Sequence, residues 1–365
     1  MIEKRRLGRT GLEVSVLGFG GAPIGEHLPP MTKEEAEQTV CYAFDQGINY
    51  FDTARSYFNS EEFIGDALAS VRDDCIIATK VEDMTRRGAW IQLRHSLKRL
   101  RTSRIDVVQL HGNGVLKNSA DLKRAMGSDS ALEALKEAQS QGLVDHIGIT
   151  GHYPHVLVEA IQTGEFDTIQ VPINAITRQA LEELVPLARE LDVGIVVMKP
   201  FGGQPFFLGS DEFRTLLGRD DYETARRALS FLLRREVSTI IPGFENVAEI
   251  DAAVKAVRDF DPTTPEGEFE FWSGEGGLYC RDGGTINTCE MCMPCPEFVK
   301  IPTILRFDRY YGYGMRDWAR SQYMRLSTRV DDCTRCGECE KRCPYGLPVM
   351  KLLQEADQRL NPQGT

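Results

Sequence analysis

Eight short apolar runs punctuate the first 260 residues, and between them the chain is amphipathic. The runs are VSVLGFGG (14–21), INYFDTA (48–54), CIIATK (75–80), IDVVQLH (105–111), HIGITG (146–151), TIQVPIN (168–174), GIVVMKP (194–200) and STIIPG (238–243). Each is rich in β-branched residues and about as long as a strand buried on both faces. The stretches at 32–46, 60–71, 88–100, 128–141, 177–191, 222–235 and 246–258 read as helices, and the first opens on a capping box, Thr32-x-x-Glu35. Right-handed crossovers lay such strands parallel, and a ring of eight closes on itself. The pattern therefore predicts an α/β fold of the (β/α)8 TIM-barrel type. An open doubly wound sheet would carry G-x-G-x-x-G leading into a helix, whereas the first run ends in GFGGAPIG and reads as entering a loop.

A barrel of this kind takes most of a chain of 365 residues but leaves room for a second, smaller unit. The composition changes at DFDPTTPEGEFE (259–270), which is rich in proline and acid. Residues 1–265 are thus expected to form the barrel, and residues 266–365 a small, mostly helical domain. The net charge of -11 makes nucleic acid and anionic membrane poor partners. No apolar stretch reaches the length of a membrane span, and the start MIEKRRLGRTG lacks the apolar core of a signal peptide, so a cytoplasmic protein is expected.

The cysteines are unevenly placed. Cys41 and Cys75 lie in the barrel portion; the other eight crowd into the last hundred residues. A reducing compartment favours metal binding over disulfides for such a set. Cys333, Cys336, Cys339 and Cys343 follow x2, x2, x3 spacing with Pro344 behind, the bacterial ferredoxin pattern for a [4Fe-4S] cubane. Zinc sites more often pair two knuckles across a longer gap. Upstream, Cys289, Cys292 and Cys295 form a second run, TCEMCMPCP. In the ferredoxin pattern the last cysteine serves the other cluster. Cys333, Cys336 and Cys339 would then take Cys295, while Cys289 and Cys292 would take Cys343, with Cys280 the one candidate left for the eighth place. One cluster is expected from the spacing, and eight cysteines suffice for two. Between the runs, Arg306, Arg309, Arg316, Arg320, Arg325 and Arg329 recur at near-helical spacing, as a solvated face or as a docking patch for an acidic electron carrier.

In a barrel, polar residues at the C-terminal strand ends meet substrate. Those ends carry Asp52 with nearby Tyr57, Lys80, His111, Thr150 and His152. A lysine closing an apolar run is costly to bury unless paired, and Asp52 is its natural partner. An ammonium beside a phenol favours the phenolate, so Tyr57 could trade a proton with a carbonyl oxygen while His111 bonds the same oxygen. Taken singly, Asp52 could cap a turn, Lys80 form a structural ion pair and His111 be an ordinary interior histidine. Such residues at three successive strand ends argue for a site. Arg55, Phe58 and His152 are candidates for its mouth.

The stretches LGRTGLEVSVLGFGG, GINYFDTARSY, SEEFIGDAL, ATK, SLKRLRTSRIDVVQLH, IGITGH, QVPIN and IIPGFENVAEI together resemble the aldo/keto reductase family over roughly residues 3–260. The phrases DTARSY, GITGH, MKPFGG and MCMPCP are similar to a subgroup with a C-terminal ferredoxin-like extension. The resemblance implies the (β/α)8 fold, NAD(P)H, and interconversion of a small carbonyl substrate and its alcohol. It implies Tyr57 as acid/base, Asp52 and Lys80 as its tuning pair, and His111 as orienter of the substrate oxygen. It also implies Thr150 and Gln170 at the nicotinamide carboxamide, with Gly21, Ala22 and Asp52 along the nucleotide. Met198 replaces the usual stacking aromatic, and Lys199, Pro200, Phe201 and Gly203 follow as pyrophosphate-side contacts. At the adenosine end, Gly243, Asn246 and Glu249 stand where the family often has basic residues for a 2′-phosphate. A carboxylate there argues for NADH over NADPH without deciding between them.

Overall fold

The computed structural model describes residues 2–26, 31–112, 116–174, 177–201, 221–264, 280, 291–312, 315–343 and 345–361. The chain enters through an antiparallel hairpin, β1 (Lys4–Arg6) against β2 (Glu13–Ser15). Eight strands follow: β3 (Phe19–Gly20), β4 (Tyr50–Asp52), β5 (Ile76–Val81), β6 (Ile105–His111), β7 (Val144–Thr150), β8 (Thr168–Pro172), β9 (Gly194–Met198) and β10 (Thr239–Ile241). They pair in that order, all parallel. The first and last meet through parallel bridges Leu17↔Ile240 and Gly20↔Gly243. Amides of Gly18 and Gly20 donate to the carbonyls of Ile240 and Pro242, at 2.8 Å each, sealing the ring.

Every predicted run supplies a strand. The first run divides between the hairpin and β3, because Val14 and Ser15 turn toward β1 before the chain joins the barrel. Helices form over Lys33–Asp45, Ser60–Ala67, Arg86–Arg99, Ala131–Ser140, Leu184–Glu190, Asp221–Leu233 and Val247–Arg258. The Thr32–Glu35 capping box is complete in both directions. Three helices were not anticipated: Ser119–Ala125, Pro154–Gln162, and a short Ala22–Glu26 where GAPIG was expected to be loop. Pro154 at the first helical position is a signal the periodicity reading passed over.

The barrel interior is filled by Tyr50, Ile76, Ala78, Val107, Val196 and Ile241, closed below by Leu7 and Val14 from the hairpin. Arg5 ties that hairpin down by donating to the carbonyls of Leu233, Arg235 and Val237. A cleft of about 470 Å³ opens at this N-terminal end, among Arg5, Arg6, Asp192 and Arg235. Arg5 and Arg6 are already engaged there, Arg6 with Asp192 at 2.7 Å. Barrel chemistry belongs to the opposite end.

The C-terminal portion is mostly helical: Ile301–Gly312, Arg316–Met324, Glu338–Arg342 and Val349–Leu360. Phe307 and Tyr310 pack edge-on against Trp318, at 5.8 and 5.5 Å between centroids. Arg359 grips Asp308 with two bonds of 2.6 and 2.7 Å. Among the described residues no helix is long and apolar enough to cross a membrane.

Candidate active site and cluster cradle

Strand register determines which side chains meet. Asp52 stands opposite Ala78, Lys80 opposite Gln109, His111 opposite Thr150, and Thr150 opposite Gln170. Asp52, Lys80, His111 and Thr150 lie at or next to the C-terminal end of their strands, and all six polar residues are buried. Lys80 Nζ donates to Asp52 Oδ1 and to the Thr53 carbonyl, both at 2.7 Å. Burial works against its charge, but Asp52 and then the Tyr57 hydroxyl, hydrogen-bonded to it, outweigh that and hold Lys80 above its ordinary value. Its ammonium lies 4.9 Å from the centre of the Tyr57 ring. The His111 ring meets the Tyr57 ring edge-on at 6.3 Å. The four predicted residues are thus one cluster.

Two neighbours were missed. Gln109 donates to Asp52 Oδ2 at 3.2 Å and to Gln170 Oε1 at 2.9 Å, cross-linking three strands inside the barrel. Its signal was a polar residue in the middle of IDVVQLH. Glu82, two residues past Lys80, has Oε1 2.8 Å from His111 Nδ1 and is also bonded by the Ser56 hydroxyl. The His111 bond, ahead of the opposing effect of burial, holds Glu82 below the usual carboxylate range. His111 is pushed below its ordinary value chiefly by burial, with Glu82 opposing and Lys80 assisting.

The Tyr57 loop is carried against the short helix Ala22–Glu26. A Cβ built on Gly25 would stand 2.0 Å from the Tyr57 carbonyl oxygen, so only glycine allows that approach. Phe58, at φ +42°, is exposed at the mouth. Arg55 is 3.1 Å from His95 Nδ1 rather than in the acid/base cluster.

Toward the nucleotide positions, Gln170 Nε2 bonds Asp52 Oδ1 at 3.3 Å and Met198 Sδ at 3.8 Å. Lys199, in a left-handed conformation at φ +57°, places Nζ 2.9 Å from His152 Nε2. Burial pushes Lys199 down to about 8. His152 falls to about 3 through burial, then Lys199 and His111. Its Nδ1 is buried without a partner. Pro200 and Phe201 are buried just past β9, and Gly203 lies outside the described residues. Gly21 donates its amide to the Asp52 carbonyl at 2.7 Å, Ala22 starts the short helix, and Gly243 sits on the closing seam. Asn246 caps helix Val247–Arg258 by accepting the Glu249 amide at 3.1 Å, while the Glu249 carboxylate accepts the Glu245 amide at 2.8 Å.

In the C-terminal portion, Cys295, Cys333, Cys336 and Cys339 line one small cavity together with Pro296, Ile301 and Met350. These are the four cysteines of the crossed assignment. The described cysteines are all free thiols. No three potential ligands among the described residues converge as they would around a single ion. The four thiols instead share the lining of one small cavity, and four thiolates are the donor set a cubane takes. The Arg335 amide donates to Cys333 Sγ at 3.4 Å, and Arg335 and Gly337 are both left-handed, at φ +56° and +76°. Such curled amides suit an anionic cluster. Cys292 is buried, Cys343 half-buried, and Arg342 bonds the Pro294 carbonyl at 2.7 Å, tying the second run to the first. Arg309 bonds the Cys280 carbonyl. Cys289 lies outside the described residues. The arginines considered for docking partly serve the fold: Arg320 bonds the Arg359 carbonyl and Tyr311 Oη.

The family model described as "Aldo/keto reductase family" matches residues 16–266, and one described as "4Fe-4S dicluster domain" matches residues 287–348. The oxidoreductase YqkF of Bacillus subtilis is 30% identical over 213 residues, covering 54% of this chain and 65% of that protein. L-galactose dehydrogenase of Arabidopsis thaliana is 26% identical over 291 residues, covering 71% and 89%. Among solved structures, the holo form of aldo-keto reductase AKR11C1 from Bacillus halodurans superposes with a TM-score of 0.61 at 28% identity, over 75% of this chain and 97% of that one.

Proposed function

This chain belongs to the aldo/keto reductase family and carries a C-terminal 4Fe-4S domain, and from that premise we propose that its barrel interconverts a small carbonyl compound and the corresponding alcohol with NAD(P)H. The observation that carries the reading is the buried Lys80 ammonium, held by Asp52 and hydrogen-bonded to Tyr57. NAD(P)H, when bound, would supply the hydride to the carbonyl carbon, and NAD(P)+ would accept it in the reverse direction. Tyr57 Oη gives a proton to the carbonyl oxygen in reduction and recovers it in oxidation. Lys80 stabilises the phenolate left behind, and Asp52 keeps Lys80 charged and in place. His111 orients the substrate oxygen. Thr150 and Gln170 would hold the carboxamide, Met198 would pack on the nicotinamide ring, and Lys199 would meet the pyrophosphate.

Cys295, Cys333, Cys336 and Cys339 would hold a cubane, which would supply single-electron chemistry, whereas hydride carries two electrons. The barrel lacks a recognisable flavin fingerprint to couple them, so we assign turnover to the barrel and a structural or sensing role to the clusters. Free thiols and oxygen-sensitive clusters suit a cytoplasmic setting.

Tyr57→Phe tests the assignment. It should lower NAD(P)H-linked carbonyl reduction by about 10²–10⁴-fold with cluster absorbance unchanged. Turnover supported by reduced ferredoxin and by neither nucleotide would instead assign the barrel to an external electron carrier.

A further inference from the structure

His111 has two ring nitrogens, and a carboxylate has claimed one. Glu82 Oε1 lies 2.8 Å from Nδ1, and a carboxylate held ionised can only accept, so the hydrogen of that bond belongs to the imidazole. Glu82 is itself fixed. The Ser56 hydroxyl bonds its carboxylate, and Gln92 Oε1 receives its backbone amide at 2.7 Å. The ring as a whole meets the Tyr57 ring at right angles, 6.3 Å between centroids.

Building on the reductase reading above, we propose that Glu82 is a positioning residue for His111: by taking the Nδ1 hydrogen it leaves the neutral imidazole with a bare Nε2, so His111 donates to a carbonyl oxygen only as the imidazolium. A neutral histidine has one N–H, and the partner of one nitrogen decides the state of the other. The same logic operates where a carboxylate fixes the tautomer of a catalytic histidine in hydrolases. The consequence is directional. A carbonyl oxygen brings no hydrogen, so it needs a protonated Nε2. An alcohol brings its own and is compatible with a bare one.

Among the described residues, the charged and titratable groups around the ring are Glu82 and Lys80 from β5 and its following turn, Asp52 from β4, Tyr57 from the next loop, and His152 beyond β7 with Lys199 behind it. Glu82 and Asp52 favour the imidazolium; burial and Lys80 oppose it, and they prevail. The donating form is therefore present below the His111 ionisation and is lost as pH rises through it.

The test uses the full chain with NADPH and 4-nitrobenzaldehyde, and NADP+ with 4-nitrobenzyl alcohol. Above the His111 ionisation, kcat/KM for reduction should fall about tenfold per pH unit in the wild type. In Glu82→Gln, whose amide can donate to Nδ1 and release the other tautomer, that slope should flatten to less than about threefold across the same range. Because reduction consumes a proton and oxidation releases one, kcat/KM for oxidation should be flat over this range in the wild type and rise about tenfold per pH unit in Glu82→Gln. Histidine ¹⁵N spectra, with His111 assigned through His111→Asn, should show Nδ1 protonated and Nε2 bare in the neutral wild type, and the pattern should change in Glu82→Gln and Glu82→Ala. A protonated Nε2 in the neutral wild type, or an unaltered slope and spectrum in the variants, overturns the proposal. If the chain turns over neither substrate, the reductase reading fails and the spectra alone decide the role of Glu82.

Discussion

At the scale of single residues, the site rests on a charge that water does not reach. Lys80 has no exposure and Asp52 only 2%. Such a pair is not in itself a strong source of stability, but removing one member leaves the other buried and uncompensated. Lys80→Met should therefore cost about 3–5 kcal/mol in denaturant unfolding of the barrel, in addition to abolishing turnover. A variant as stable as the parent would mean that Asp52 takes up a proton or that water enters. Lys199 contrasts with it: burial has lowered it to about 8, and its neighbour is the neutral His152. One lysine is held by a carboxylate, while the other faces an imidazole.

At the scale of elements, strand ends supply the chemistry and loops place it. Tyr57 is not on a strand; its position depends on the short helix Ala22–Glu26, where Gly25 touches the Tyr57 carbonyl. Gly25→Ala would push that loop outward. A misplacement of about 1 Å at a catalytic group can cost about 10²-fold in rate. The expected outcome is a drop of that order in kcat with little change in thermal midpoint, measured by steady-state kinetics and circular dichroism. An unchanged kcat would show that the Tyr57 loop is not held by this contact. Among the cysteines, the loop is left-handed at Arg335 and Gly337, and the Arg335 amide meets Cys333 sulfur.

At the scale of the whole molecule, the tail brings together cysteines nearly forty residues apart in the chain. Cys295 shares a cavity with Cys333, Cys336 and Cys339, so Cys295→Ser should weaken one cluster and spare the other. Anaerobic iron and sulfide analysis should fall from about eight iron atoms per chain toward about four, since each cubane carries four. A wild type with about four, or with zinc, would remove the second cluster or both. NAD(P)H-linked turnover should survive the substitution if the barrel is a reductase in its own right.

The ring of eight strands and the cluster-binding spacing were already legible in the chain, because strand length, β-branched content and the interval between cysteines are local properties. Asp52, Lys80 and His111 could be picked out for the same reason: a polar residue ending an apolar run is visible without knowing what lies beside it. What the linear order could not reveal was pairing across strands. Glu82 looked like one acid among many until register and loop path set it against His111, and Gln109 looked like an interruption until it was found bridging Asp52 and Gln170. Glu249, expected as a nucleotide contact, also accepts the amide of Glu245 at a helix start, a bond the linear order does not show. Residue type states which bonds a side chain can make; only the closed barrel, by bringing distant strand ends within about 3 Å of one another, decides which of those bonds are made.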